Sequence, residues 1–166
     1  MKIYLIGMPG SGKSTLGKQL AERLSLPFVD LDTVIEDQQQ KAVSDIFLEK
    51  GEDHFRLIES QLLREWAGSE KSFVMATGGG TPCFHKGIDI IKQTGLSIFL
   101  DVSLEVLLNR LHSKTDRPLL NSIDAKEKDE KLRSIRSSRL SCYQNAHLTI
   151  TDPTIAKLIA AIQLKK

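Results

Sequence analysis

The first residues with the spacing of a chemical site form the stretch GMPGSGKS, residues 7–14. It matches the pattern G-x-x-x-x-G-K-[ST] and follows the apolar run KIYLI, residues 2–6, which is typical of a buried strand. Glycines let successive backbone N–H groups face a phosphate, and a helix that begins here adds a favourable dipole. In this pattern Lys13 reaches the β- and γ-phosphates and Ser14 ligates Mg²⁺. The stretch predicts a nucleoside triphosphate site.

A second set of polar residues follows two further predicted strands. In FVDLD, residues 28–32, the alternation predicts a strand that points Asp30 and Asp32 to the same side. The strand SFVMA, residues 72–76, ends in TGGG, where three glycines, Gly78–Gly80, would let a ligand approach the backbone closely. Because ligands of α/β proteins bind at the carboxyl ends of strands, both sets are candidates for recognising a second substrate.

Two arginines are candidates for holding an anionic group of that substrate. Arg56 has Glu59 at i+3 on the same helical face, which would orient its guanidinium. The alternative is an ordinary surface pair that contributes about 0.2–0.5 kcal/mol. Arg139 lies late in a charged segment whose basic residues could equally form a solvated helix face. The glycine triplet, likewise, could be a plain turn.

Among nucleotide-binding proteins, the sequence favours a small-molecule kinase. The N-K-x-D motif and the D-x-x-G strand end of a GTPase are both absent from the sequence. A motor or pump would need a longer chain and a coupling partner. A kinase of this size mainly positions its substrates and neutralises phosphate charge. A nucleotide-dependent module that has lost phosphoryl transfer is the alternative from another class.

The elements that must position these residues alternate between strands and helices. Two further strands are predicted, LSIFLDV at 96–102 and HLTI at 147–150. Strands separated by helices predict a parallel α/β sheet with helices on both faces. Six helices are predicted. The first follows Gly12, the second and third run from Ser44 to Gly51 and from Gly51 to Ala67, and the fourth starts after Ser103. The fifth spans about 124–141, and the sixth begins at Asp152-Pro153 with the Asp as cap.

Composition favours one domain spanning residues 1–166. The 23 basic and 21 acidic residues leave a formal charge of +2, too little to favour nucleic acid or an anionic membrane as partner. No apolar run reaches the length of a membrane span. The two cysteines, Cys83 and Cys142, show no C-x-x-C spacing and favour a reducing cytoplasm. We expect a cytoplasmic enzyme, and a monomer.

Taken together, six motifs resemble the shikimate kinase family in their order and spacing, from residue 7 to about 146. They are GMPGSGKST at 7–15, D-x-D at 30–32, F-R-x-x-E at 55–59, the glycine triplet 78–80, RPLL at 117–120 and R-x-x-x-Y at 139–143. The first motif is shared by many families. The combination of D-x-D, F-R-x-x-E and the triplet is much more specific.

The resemblance implies a three-layer α/β/α fold with a five-stranded parallel sheet in the order 2-3-1-4-5. It implies transfer of the ATP γ-phosphate to the 3-hydroxyl of shikimate, with Mg²⁺, on the chorismate pathway to aromatic amino acids. Its acceptor-binding helical segment would span about 31–67 and its mobile lid about 112–123. Implied ATP-binding residues are Gly10, Ser11, Gly12, Lys13, Ser14, Thr15, Arg110, Arg117 and Pro153.

The resemblance also implies the acceptor and metal residues. Substrate binding would fall to Asp32, Arg56, Gly78, Gly79, Gly80 and Arg139, metal binding to Ser14 and Asp30, and catalysis to Lys13, Asp32 and Arg117. An irregular segment over the site fits a lid that excludes water, because an open site would hydrolyse ATP.

Some residues depart from the family pattern, although none of the departures removes a functional side chain. Leu31 replaces a residue that is often small or hydroxylic, Thr81-Pro82 follows the glycines, and Ser141 replaces the usual Pro after the last Arg. Without that Pro, Arg136, about one turn earlier, is a rival for the role of Arg139. A kinase of another hydroxylated acid such as gluconate is the alternative among enzymes.

Overall fold

The computed structural model describes residues 1–113 and 122–165, with side chains described from residue 125 onward in the second range. Strands and helices alternate along the chain as the sequence predicts. The strands are β1 (Lys2–Ile6), β2 (Phe28–Asp30), β3 (Phe73–Ala76), β4 (Leu96–Asp101) and β5 (Leu148–Thr151). The helices are α1 (Lys13–Leu24), α2 (Leu31–Gln39), α3 (Val43–Gly68), α4 (Gly87–Thr94), α5 (Leu104–Ser113), α6 (Ser122–Tyr143) and α7 (Ile155–Gln163).

The five strands form one parallel sheet in the order β2-β3-β1-β4-β5, which confirms the predicted fold. Alternate residues of the central strand β1 enter two separate cores. Tyr4 and Ile6 pack with residues of α2–α6, whereas Ile3 and Leu5 pack with α1 and α7. A strand buried on both faces needs apolar residues at consecutive positions, and KIYLI supplies them.

The second strand is shorter than predicted, and the prediction that Asp32 belongs to it is wrong. β2 ends at Asp30, whose carboxylate accepts a hydrogen bond from the Asp32 backbone N–H at 3.2 Å and caps helix α2. Asp32 therefore lies in the first turn of a helix. Leu31 is fully buried in the core, which accounts for an apolar residue between the two acids.

Several helix boundaries also differ from the sequence predictions. α3 begins after Ala42, so Ser44 does not cap it, although the predicted break at Gly51 is present as a kink with φ of 79°. The last helix is capped by Thr154, whose hydroxyl accepts from the Lys157 N–H at 3.3 Å, and not by Asp152. Helices α2 and α4 were missed as separate elements.

Polar residues at the carboxyl ends of β1, β2 and β3 lie at one edge of the sheet. These ends are followed by the glycine-rich stretch 7–12, by Asp30 and Asp32, and by Thr77 with the glycine triplet. The fold thus brings the two predicted half-sites together. Within residues 1–113 and 122–165, no helix has the length and apolar content needed to cross a membrane.

Candidate active site

The glycine-rich stretch forms a tight loop between β1 and α1. Gly12 has φ of 93°, a left-handed conformation that disfavours a side chain, and it directly precedes the first turn of α1. The loop closes through a hydrogen bond from the Ser11 N–H to the Met8 carbonyl at 3.1 Å. The Ser11 hydroxyl is buried without a hydrogen-bond partner among the described residues. The loop therefore has the backbone form of a phosphate cradle.

Lys13 is folded back onto this loop. Its ammonium group donates to the carbonyls of Gly7 and Met8 at 2.9 and 2.8 Å, and only 9% of the residue is exposed. Burial lowers the pKa of Lys13 to about 8, against the opposing effect of Asp32 and Asp30. An anion bound in the loop would supply the negative charge that this buried cation needs.

A cavity of about 600 Å³ extends from this loop to the ends of β2 and β3. It brings together most of the predicted site residues from both halves. The lining includes Gly10, Ser11, Gly12, Lys13, Ser14, Thr15, Asp30, Asp32, Gly78, Gly79, Arg110 and Pro153. Arg110 also donates to the Gly10 carbonyl at 2.7 Å, which ties helix α5 to the loop.

Asp30 and Asp32 have different surroundings. The Ser14 hydroxyl donates to Asp30 Oδ2 at 2.6 Å, so one hydroxyl and one carboxylate oxygen converge at the mouth of the phosphate loop. For Asp32, burial and the neighbouring carboxylates of Asp30 and Glu59 raise the pKa to about 6, with Lys13 opposing. The pair thus supplies one carboxylate beside a hydroxyl and one poised to exchange a proton.

Oxygen donors of this kind suit a hard divalent cation. Within the described residues, no group of three or more His, Cys, Asp or Glu side chains could hold a metal ion. A metal at Ser14 and Asp30 would therefore take further ligands from water and from a bound phosphate, as Mg²⁺ in nucleotide sites does. The donor set fits such a cation.

Arg56 is not a surface residue, so the interpretation of Arg56–Glu59 as an ordinary surface pair is wrong. Its exposure is 6% and that of Glu59 is 2%, and Arg56 Nη1 donates to Glu59 Oε2 at 2.7 Å. Nε and Nη2 both donate to Glu52 Oε1, at 3.2 and 3.1 Å. The ring of Phe84 lies 4.6 Å from the guanidinium carbon. Such a buried cation is fixed in place by two carboxylates.

The glycine triplet is packed too closely to be a plain turn. A Cβ atom on Gly78 would lie 2.7 Å from Glu59 Oε1, and one on Gly80 would overlap the Arg56 guanidinium. A Cβ on Gly79 would lie 3.2 Å from Arg139 Nη1. The triplet therefore lets both arginines approach the backbone at the edge of the cavity.

The two rival arginines of α6 face different partners. Arg139 lies beside Gly79, at the edge of the cavity. Arg136 donates to Asp101 at 3.4 Å, at the end of β4. The geometry therefore favours Arg139 for the acceptor side. Arg117 and most of the predicted lid, about 112–123, lie outside the described residues and stay predictions.

Sequence reasoning missed three contributors to this site. Glu52 lies four residues before Arg56, and that spacing could have indicated an ion pair. Thr81 donates to Glu59 at 2.6 Å, a contact between distant segments that no local pattern indicates. Tyr143 was noted only as part of a motif. It is fully buried, and its hydroxyl donates to the Gly79 carbonyl at 2.6 Å.

Replacing Tyr143 by Phe should lower the free energy of unfolding by about 1–3 kcal/mol, because the Gly79 carbonyl loses a buried donor. Urea denaturation of both proteins measures the difference. Tyr4→Phe is the matched control, since the Tyr4 hydroxyl pairs at 3.0 Å with Thr94, whose own hydroxyl also reaches the Ile90 carbonyl. Equal losses in the two variants would contradict a special role for the Tyr143 hydroxyl.

Comparison with known proteins places these features in a family. A family model described as shikimate kinase matches residues 9–164. A shikimate kinase of Phocaeicola vulgatus is 47% identical over 132 residues, which cover 79% of this chain and 73% of the relative. A solved shikimate kinase from Bacteroides thetaiotaomicron has a TM-score of 0.84 and 34% identity, covering 99% of this chain and 96% of its own.

A second similar structure was solved with a ligand. It is a shikimate kinase from Acinetobacter baumannii in complex with shikimate, with a TM-score of 0.82 and 34% identity. The alignment covers 99% of this chain and 90% of that one. The motifs, the strand order and these matches, which cover 79–99% of this chain, agree. The chain belongs to the shikimate kinase family.

Proposed function

We propose that this chain transfers the γ-phosphoryl group of ATP to the 3-hydroxyl of shikimate, giving shikimate 3-phosphate and ADP. Family membership makes it an ATP-dependent kinase of the shikimate pathway. The observation that carries the proposal is one continuous cavity that joins the phosphate loop to Asp32 and to the glycine triplet, with Arg56 and Arg139 against the triplet.

On the nucleotide side, the loop N–H groups at the start of α1 would bind the phosphates of ATP. Lys13 would leave the Gly7 and Met8 carbonyls and donate to the transferred group. Gly10, Ser11, Gly12, Ser14 and Thr15 line the same cavity together with Arg110 and Pro153, which would flank the adenine. Arg117 would complete the phosphate contacts from the proposed lid.

Ser14 and Asp30 are the residues that would hold Mg²⁺. When bound, this ion neutralises charge on the β- and γ-phosphates. Ser14 donates directly to Asp30, so these two oxygens already lie close together.

On the acceptor side, the proposed roles follow from charge and position. Arg56 and Arg139 would hold the carboxylate of shikimate, because the planar guanidinium can donate two parallel hydrogen bonds to a carboxylate. Gly78, Gly79 and Gly80 would let the substrate ring approach the backbone. Asp32 lines the cavity and would contact the ring hydroxyls.

The proposed proton acceptor is Asp32. A carboxylate with a pKa of about 6 is ionised near neutral pH and is still basic enough to take a proton from the attacking hydroxyl. The oxygen of that hydroxyl then bonds to the γ-phosphorus as the bond between the γ-phosphorus and the β-phosphate oxygen breaks. Orienting the hydroxyl is the smaller role open to Asp32, and the pH dependence described below separates the two.

Arg139→Ala should raise the KM for shikimate about 10- to 100-fold, because one charge-assisted contact of about 1.5–3 kcal/mol is lost. The KM for ATP should change little. Arg136→Ala is the matched control and should leave both constants within about twofold, because Arg136 pairs with Asp101. The reverse pattern would mean that Arg136 holds the carboxylate.

The experiment that tests the function is an acceptor panel. Purified protein with Mg-ATP is mixed separately with shikimate, gluconate and a carbocyclic hydroxy acid that lacks the 3-hydroxyl, and ADP release is followed by a coupled assay. Of these three acceptors, we expect only shikimate to be turned over. Turnover with gluconate and not with shikimate would overturn the proposal. ATP binding without turnover of any acceptor would favour a non-catalytic module.

The proposal extends to a monomer that acts in the cytoplasm. Sedimentation velocity across a range of protein concentrations tests whether the protein is a monomer. The chain has a mass of 18.5 kDa, and a species of twice that mass would contradict the proposal.

A further inference from the structure

The hydroxyl of Thr81 is the starting point. No substrate contact is predicted for it, and it nevertheless makes a buried hydrogen bond. It donates to Glu59 Oε1 at 2.6 Å, and Thr81 and Glu59 are each 2% exposed. The other oxygen of the same carboxylate, Oε2, accepts from Arg56 Nη1 at 2.7 Å. The two oxygens of Glu59 are thus divided between two donors.

The guanidinium of Arg56 has five N–H bonds. Nε and Nη2 each give one to Glu52, and Nη1 gives one to Glu59. Within the described part of the chain, one N–H bond on each terminal nitrogen then remains for an external acceptor. A substrate carboxylate can accept two parallel hydrogen bonds from such a pair.

Removal of the Thr81 hydroxyl would change this division. Glu59 Oε1 would become a buried acceptor without a partner, a state that costs free energy. Arg56 is the neighbouring cation, and a carboxylate that turns towards it can bind both terminal nitrogens at once. Glu59 would then compete with the substrate for the same N–H bonds.

We propose that Thr81 is a positioning residue for acceptor recognition: its hydroxyl holds Glu59 so that one carboxylate oxygen engages Arg56, which leaves two N–H bonds of Arg56 for the acceptor's carboxylate. This inference rests on the proposed function, in which Arg56 binds that carboxylate. It assigns a role to a residue at which the sequence departs from the family pattern.

The surrounding backbone holds the three side chains in this arrangement. The Thr81 N–H donates to the Gly78 carbonyl at 3.2 Å, which fixes the short turn Thr81–Cys83 against the triplet. A Cβ on Gly78 would lie 2.7 Å from Glu59 Oε1 and 3.0 Å from Thr81 Oγ1. The Thr81–Glu59 contact is therefore packed directly against glycine backbone, with little room for a different geometry.

The test compares Thr81→Val, which keeps the shape and removes the donor, with Thr81→Ser, which keeps the donor. Shikimate affinity is measured by isothermal titration calorimetry, and KM values are measured for both substrates. For Thr81→Val we expect shikimate affinity to fall about 10-fold and its KM to rise equally, with the KM for ATP within about twofold. Thr81→Ser should restore wild-type values.

Two further variants separate positioning from general damage. Thr94→Val removes a hydroxyl that pairs with Tyr4, neither residue lines the cavity, and the change should leave all constants unchanged. In an Arg56→Lys background, Thr81→Val should have little further effect on shikimate affinity, because an ammonium group has no paired N–H bonds for Glu59 to take.

Three results would overturn the inference: unchanged shikimate affinity in Thr81→Val, equal rises in both KM values, or an undiminished effect of Thr81→Val in the Arg56→Lys background. The proposed function fails separately. A wild-type protein that binds shikimate without phosphorylating it contradicts the function, while the calorimetric comparison still decides the role of Thr81. A wild type that neither binds nor turns over shikimate contradicts both.

Discussion

Replacing Asp32 by Asn is expected to lower kcat by about 10²- to 10⁴-fold, the range for loss of a general base. The same change should stabilise the protein without ligands. Burial and the nearby carboxylates of Asp30 and Glu59 raise the pKa of Asp32 from 3.8 to about 6, so its ionised form is unfavourable in the folded state. Asn keeps the shape and removes the charge.

The sign of the pH dependence follows from linkage. Because the folded-state pKa is raised, the folded protein binds this proton more tightly than the unfolded chain does. The free-energy cost of this ionisation to the folded state is therefore absent near pH 3. It grows as the pH rises from about 4 to 6 and is fully present above that range. We expect Asp32→Asn to raise the free energy of unfolding by about 1–3 kcal/mol at pH 8 and hardly at all near pH 4.

Urea denaturation at both pH values measures this stabilisation, with Asp37→Asn, an exposed carboxylate on the same helix α2, as the control. In the wild type, kcat/KM for shikimate should rise as the pH increases through about 6, if Asp32 accepts the proton. A destabilised Asp32→Asn at pH 8, or one that keeps more than a tenth of wild-type turnover, would contradict this account of Asp32.

Lys13→Ala should lower kcat by at least about 10²- to 10³-fold, since the transferred group loses its fixed cation. The Lys13 ammonium donates to the Gly7 and Met8 carbonyls, and burial lowers its pKa to about 8. The value of kcat/KM for ATP should therefore fall as the pH rises above about 8, because the free enzyme then loses this charge.

Lys18→Ala is the control for Lys13, as Lys18 lies on the exposed side of the same helix, near the ring of Phe28. Its turnover should stay within about twofold of wild type. Near-normal turnover of Lys13→Ala in a coupled ADP assay would contradict the assignment of the glycine-rich stretch as the phosphate cradle.

Those parts of the fold that depend on local pattern were predictable from the sequence. The run KIYLI and the glycine-rich stretch after it specify a buried strand and a phosphate loop within a few residues of each other. The strand order was expected only from the family resemblance, because spacing along the chain does not specify which strands become neighbours. The structure confirms that order.

The end of the second strand was not predictable from alternation alone. A period of two continues through Asp32, yet Asp30 also has the chemistry of a helix cap, and capping together with the burial of Leu31 decides the outcome. The start of the last helix also differs from what its sequence pattern predicts. Asp152-Pro153 looks like a cap followed by a first helical residue, but Asp152 has φ of 47° and Thr154 provides the cap.

The candidate site was predictable as a set of residues and not as an arrangement. The i, i+3 spacing of Arg56 and Glu59 is the same for a surface pair and for a buried one. Burial comes from the turn at Thr81 and from Phe84, which lie more than twenty residues away in sequence and pack against the pair. Contacts of that range follow from tertiary packing.

The two neighbouring carboxylates of FVDLD have different structural roles. Asp30 ends the strand, caps α2 and accepts from Ser14, whereas Asp32 is carried by the helix into the cavity. Their proximity is one cause of the raised pKa of Asp32. The charge of Asp30 therefore helps to set the basicity of Asp32.

The identity of the product tests the central claim most directly. The protein is incubated with Mg-ATP and shikimate, and the reaction is followed by ³¹P NMR. We predict one new phosphate ester whose phosphorus couples to the ring proton at C3, formed in equal amount to ADP. Release of inorganic phosphate with ADP and no ester, or an ester at another hydroxyl, would contradict the claim that this site transfers the γ-phosphoryl group to the 3-hydroxyl of shikimate.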